Sequence, residues 1–267
     1  MAPAKRLDPL TVPTPHLSTA EAIATPGTRV VVLPGIPSAW AEAAKGILHV
    51  KGIPYHTVAL RYDDQELKSW VGELNVPVVC HHDTPPKRDW CDILSFAEQL
   101  RPDPPLLPAS AQERTTALGL AQQLCGPGGL GWARRLQLVH NSFHDTTLFP
   151  EPVARYLGAK YGYDPELTAS WDGAVQSLLQ RFSLQLETQE RLGSPYYLAN
   201  QLTAVDIYSA AMMAMFAPLP KSQCPMDEGF RRTFSTLDPA TATALHPRLL
   251  AHRDFIYQQH LELPIAL

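Results

Sequence analysis

Apolar positions along the chain fall into two regimes. Between Arg29 and Leu100 short apolar runs alternate with helical periodicity. "RVVVL" reads as a buried strand, and Trp40, Ala43, Ala44, Ile47 and Leu48 repeat at helical spacing just after it. "GIPYHTVAL" predicts a second strand, "DDQELKSWVGEL" a short helical or irregular piece, and "VPVVC" a third strand. After the polar turn "HHDTPPKRD", Ile93, Phe96, Ala97 and Leu100 share one helical face. Beyond this point only helical spacing remains, with segments expected at 111–143, 150–162, 165–191, 203–217 and 243–260. The run "GPGGLG" at 126–131 should break or bend the first of these.

The boundaries follow from composition. Residues 1–28, rich in Pro, Thr and Ala without periodicity, read as an extended leader. Residues 29–101 form a small α/β unit, and 110–267 an all-helical one. Between them, 102–109 carry all four prolines of "RPDPPLLPAS", which no helix can continue through, so this piece reads as a stiff connector.

Composition excludes several functions. A net charge of -4 with acids and bases interspersed offers no footprint for a nucleic-acid backbone. No run approaches the roughly 20 apolar residues of a spanning helix, and the start lacks a signal-peptide core, so a cytoplasmic protein without membrane contact is expected. The four cysteines show no C-x-x-C spacing, which suggests neither a disulfide framework nor a structural zinc site. His140 and His144 stand one helical turn apart, but without the glutamate of H-E-x-x-H and without a third ligand; no metal is expected.

Two local patterns carry more weight. "NVPVV" places a proline at the start of a short strand, where it cannot donate to the ladder; a cis Val76–Pro77 bond would turn the backbone outward and leave the polar groups of Val76 for an extended peptide. An ordinary trans proline is the bland alternative. "LTAVD" reads as a capping box of Thr203 and Asp206 with Leu202 and Ile207 as hydrophobic staple. The helix after it sets Tyr208, Ala211, Met212, Met215 and Phe216 on one stripe, a sign of deep packing.

In their order and spacing, "PSAWAEAAKGILHVKGIPY", "NVPVV", "DWCDILSFAEQL" and "YLANQLTAVDIYSAA" resemble the glutathione transferase superfamily, in its serine-type, bacterial-like form. The resemblance spans residues 29 to about 260. It implies a thioredoxin-like β-α-β-α-β-β-α domain followed by an all-α helical-bundle domain, a homodimer, and glutathione as bound co-substrate. The implied reaction is attack of an activated glutathione thiolate on a hydrophobic electrophilic small molecule, as transferase or as related lyase or isomerase.

The resemblance also implies a site. Ser38 takes the place of the serine whose hydroxyl donates to the glutathione sulfur, with Gly52 fourteen positions on fixing the register. Such a donor at a helix N-terminus favours thiolate over thiol. As a helix N-cap the same serine has a purely structural role. Val76, Pro77, Asp89 and Trp90 take the glutathione-binding places, and Trp40, Trp132 and Arg135 those of the electrophile pocket. Many members carry Glu-Ser or Asp-Ser where this chain has Asp89-Trp90, so the γ-glutamyl end of glutathione would meet an indole in place of a hydroxyl. This departure supports a second reading, a catalytically silent binding or scaffold protein of the same fold.

Overall fold

The computed structural model describes residues 16–267. Its sheet has three strands in the order β2-β1-β3, where β1 is Thr28–Val32, β2 Tyr55–Ala59 and β3 Val78–His81. β1 is buried along its whole length, as the Val30–Val32 run demands of a central strand, with Thr28 and Arg29 buried at its start. It pairs in parallel with β2, Val30 opposite Thr57, and antiparallel with β3, Val30 opposite Val79. The parallel pair needs a crossover, and α2 (Ala39–Val50) supplies it.

α2 is alanine-rich because it is buried on more than one side. Ala39, Ala41, Ala43, Ala44, Ile47 and Leu48 are all inaccessible. A Cβ on Gly46 would come within 2.9 Å of Ile207 and 3.0 Å of Leu261, so the glycine permits the helical unit to approach this closely.

The other face of the sheet is covered from the N-terminal side. α1 (Thr19–Ala24) begins with a capping box of Ser18 and Glu21, and buries Ala22 beside Val31, Val58 and Leu67. Leu17 bridges to Val58 beside β2. Residues 16–28 are therefore packed structure and not an extended leader; the S-x-x-E cap and the one buried alanine were too brief a signal for periodicity to register. Residues 1–15 of that leader lie outside the described residues. Thr19 donates to Asp64 at 2.6 Å, and Asp64 caps α3 (Gln65–Val71), which fills the remainder of this face.

The fourth strand implied by the resemblance is reduced to one bridge, in which Val79 and Lys87 exchange N–H donors at 2.8 and 2.9 Å. Pro85 and Pro86 have no N–H to extend it. α4 (Trp90–Leu100) follows, and then the proline-rich connector. The fully buried Lys51 ammonium holds that connector, donating to the carbonyls of Pro102 at 3.1 Å and Pro104 at 2.8 Å and pairing with Glu98.

The helical unit comprises α5 (Ala111–Cys125), α6 (Leu130–His144), α7 (Glu151–Tyr161), α8 (Thr168–Arg191), α9 (Ala204–Met213), α10 (Glu228–Ser235), α11 (Pro239–Ala244) and α12 (Pro247–His260). The break between α5 and α6 falls at the glycine run, where a Cβ on Gly129 would stand 2.7 Å from the Gln123 carbonyl. α9 is buried on every side, not along one stripe, and forms the axis of the unit. At its start the buried Asp206 accepts from Thr203 N and Thr203 Oγ1, both at 2.8 Å, and from Tyr197 N at 2.9 Å. His252 of α12 completes the network at 3.0 Å.

Candidate active site

Ser38 occupies the N-cap position of α2, yet its side chain makes no capping hydrogen bond. Its carbonyl accepts from Glu42 N at 2.8 Å, so the backbone starts the helix while the hydroxyl stays uncommitted among the described residues. That hydroxyl group's residue lines a cavity of about 320 Å³ between the α/β unit and the helical unit. The volume is that of a small-molecule pocket.

The α/β unit contributes Leu33, Ile36, Ser38, Tyr62 and Val76 to the wall. Opposite stand Tyr156, Lys160 and Tyr161 of α7, Phe230 and Phe234 of α10, and Arg135 of α6. Tyr62 and Tyr156 meet edge to face across the two units, with ring centroids 5.2 Å apart and both rings partly exposed. The lining is mainly apolar, with Ser38, the two cations and the tyrosine hydroxyls as its polar features and no acidic residue.

Arg135 is 7% exposed, and its Nε is buried without a partner. One terminal nitrogen lies 3.6 Å from Met215 Sδ, and the guanidinium carbon stands 5.7 Å from the Phe234 ring centroid. Burial pushes the Tyr161 phenol up from its ordinary range, with the Arg135 charge opposing. The neighbouring Arg134 does not reach the pocket. It is fully buried and donates to the carbonyls of Met215, Phe234 and Thr236, which ties α6 to α10. Burial lowers its pKa to about 9.

Trp40 and Trp132 fall outside this lining. The Trp132 indole donates to the Tyr161 carbonyl at 3.1 Å and packs against its ring at 4.7 Å. Trp40 donates to the Cys125 carbonyl at 2.9 Å and stands 6.0 Å from the Tyr161 ring. Both rings thus stand beside Tyr161 and outside the cavity wall, and Trp40 borders instead the small crevice shared by Pro77 and Trp90.

Of the four residues expected to hold glutathione, Val76 alone lines the cavity. The Val76–Pro77 peptide is cis. The Val76 N–H is held at 2.8 Å by the carboxamide oxygen of Asn75, which also accepts from the Lys160 ammonium at 2.6 Å. Pro77 and Trp90 border a separate crevice of about 10 Å³, too small for a γ-glutamyl group. The Trp90 ring stands edge-on to Tyr208 at 5.6 Å, and its carbonyl accepts from the Tyr208 hydroxyl at 3.0 Å. Asp89 is exposed and caps α4 through Cys91 N at 2.8 Å.

Tyr156, Lys160 and Tyr161, and the Phe230–Phe234 pair, were not expected from the sequence. The available signal was an i, i+4 aromatic pair in the otherwise polar "EGFRRTFS".

No protein-family model matches the chain, and no curated protein matches it in sequence. Solved structures do match it. A glutathione S-transferase from Methylobacterium radiotolerans JCM 2831, complexed with glutathione sulfonate, is 16% identical with a TM-score of 0.57, over 87% of this chain and 91% of that one. A second, from Methylobacillus flagellatus KT with glutathione bound, is 14% identical with a TM-score of 0.60, over 87% and 95%. A beta-etherase from Sphingobium sp. strain SYK-6 is 14% identical with a TM-score of 0.55, over 82% and 98%. The chain thus has the glutathione transferase fold, a thioredoxin-like α/β region followed by a helical domain.

Proposed function

We propose that the protein is a glutathione-dependent enzyme of the transferase type, acting on a hydrophobic electrophile held between the two units. The observation that carries this reading is Ser38 at the head of α2, its hydroxyl uncommitted and its residue lining the same cavity as Val76. A free thiol near pKa 8.5 is mostly protonated at neutral pH. Lowering that pKa by about two units requires about 2.7 kcal/mol in favour of the thiolate. Ser38 donates a hydrogen bond to the sulfur, and the positive end of α2 adds to it.

Bound there, glutathione supplies the thiolate that attacks an electrophilic carbon, with conjugation, dehalogenation, ether cleavage and isomerisation sharing this start. Val76 offers its backbone to the cysteinyl unit once the Asn75 carboxamide rotates away. Asp89 meets the γ-glutamyl ammonium at the surface. The electrophile lies against Phe149, Tyr156, Phe230 and Phe234, whose apolar bodies exclude water from the reacting sulfur. The reading includes a cytoplasmic homodimer, which sedimentation and localisation of the tagged chain test.

Thermal melting tests the co-substrate: glutathione at about 100 times its Kd should stabilise by about 2.7 kcal/mol. Ser38→Ala should then reduce kcat/KM about 100-fold, the scale of one lost donor to a developing anion. Equal turnover in the variant would remove Ser38 from the chemistry. A second reading, a silent binding or scaffold protein, draws on Trp90, whose indole is packed against Tyr208 where the γ-glutamyl end would anchor. An unchanged melting curve at millimolar glutathione favours that reading.

A further inference from the structure

The cavity beside Ser38 contains two cations and no counter-charge. Arg135 lies at its buried end and Lys160 at its exposed rim. Among the described residues, neither has a carboxylate within ion-pair distance, and no Asp or Glu lines the wall. The Lys160 ammonium donates to the neutral Asn75 carboxamide and stands 5.5 Å from the Tyr161 ring centroid, with the Glu73 charge beyond ion-pair distance. Arg135 is in a harsher position: it is nine-tenths buried, its Nε is unpartnered, and its neighbours are the Met215 thioether, the face of Phe234 and the neutral Tyr161 phenol, none of them a counter-charge.

A guanidinium stays charged at neutral pH, and burying one without a carboxylate or a full set of acceptors is costly. Arg134, one residue earlier, shows how this chain satisfies a structural arginine: three backbone carbonyls and the Gln137 side chain surround it. Arg135 has no carbonyl shell of that kind, only the Tyr161 hydroxyl and the Met215 sulfur beside it, and it lines the cavity. Its planar fork matches an oxyanion, and the surrounding aromatic rings match an apolar body.

We propose that the electrophile accepted by this pocket carries an anionic group, a carboxylate or similar oxyanion on an aromatic or otherwise apolar body, seated on Arg135 with Lys160 at the rim. The inference rests on the reading of this cavity as the electrophile site. It adds charge selection: neutral electrophiles of the same shape leave Arg135 without a counter-charge and are bound more weakly.

Binding measured without glutathione separates this proposal from that reading. Calorimetric titration of the full chain with 1-naphthoate and with its methyl ester compares an anion with a neutral molecule of similar shape. The naphthoate should bind about tenfold or more tightly. Arg135→Met should abolish that preference without lowering the melting temperature, since no partner of a structural ion pair is lost, and Lys160→Met should reduce it. Where glutathione shifts the melt of the wild type, Arg135→Met should leave that shift intact. Equal binding of acid and ester by the wild type overturns the proposal, as does retention of the preference in both variants. Loss of the glutathione shift in Arg135→Met also overturns it, since the guanidinium would then belong to the co-substrate. Absence of any glutathione shift in the wild type counts against the co-substrate alone, while the naphthoate comparison still decides the charge selection.

Discussion

The carboxamide oxygen of Asn75 closes off the backbone N–H of Val76 at 2.8 Å, and the same oxygen holds Lys160 at 2.6 Å. One side chain thus links the edge proposed for glutathione to a cation of the electrophile pocket. Asn75→Ala should free the Val76 N–H before the co-substrate arrives. Removing that competing hydrogen bond, about 1 kcal/mol, should tighten glutathione binding about fivefold by calorimetry. Weaker binding in the variant would mean that Asn75 itself contacts the ligand.

The buried Asp206 joins Thr203, Tyr197 and His252, so its carboxylate ties the start of α9 to α12 and to the segment before it. Asp206→Ala strands several buried donors at once and should lower unfolding stability by about 3 kcal/mol or more in urea. Thr203→Ala, which leaves the carboxylate in place, should cost about 1 kcal/mol. Similar losses for the two variants would show that the network is not centred on Asp206.

The segment 261–267 docks on α2 partly through a titrating pair. Hydrogen bonding to Glu262 raises the pKa of His49 against the opposing effect of burial, and the His49 contact lowers that of Glu262, with Tyr55 assisting. A raised histidine contributes stability that is complete below its unfolded value and is lost as pH rises through the folded one. A depressed carboxyl contributes stability that is complete above its unfolded value and is lost as pH falls through the folded one. Docking should therefore be strongest between about pH 4.3 and 6.5. Both side chains are substantially exposed, so the effect should be below about 1 kcal/mol. Hydrogen exchange of residues 261–267 should speed up as pH rises past this window, after correction for intrinsic rates, and His49→Gln should flatten the profile. An unchanged profile in the variant would exclude the pair as its source.

Much of the fold is legible in the chain because its signals are local. The apolar run of β1, the spacing of α2, the glycine break before α6 and the Thr203–Asp206 cap each need only a few neighbouring residues. The missing strand after β3 is explained by Pro85 and Pro86, but only the resemblance suggested a strand there. The candidate site is less legible because it is assembled from distant segments. Helical periodicity predicts α7 without saying which of Tyr156, Lys160 and Tyr161 will face Ser38. α10 is too short and polar to stand out, yet it delivers Phe230 and Phe234. Trp40 and Trp132 attract attention as large rings near the site, but the carbonyls that engage their N–H groups lie far away in sequence.

Stabilisation of a thiolate by Ser38 at the head of α2 can be read from the ultraviolet absorbance of bound glutathione, titrated against pH. In the wild type the bound thiol should titrate about two units below the free thiol near 8.5, and Ser38→Ala should return most of that shift while glutathione stays bound. A bound thiol that titrates like the free one in the wild type, or identically in both proteins, would contradict the account.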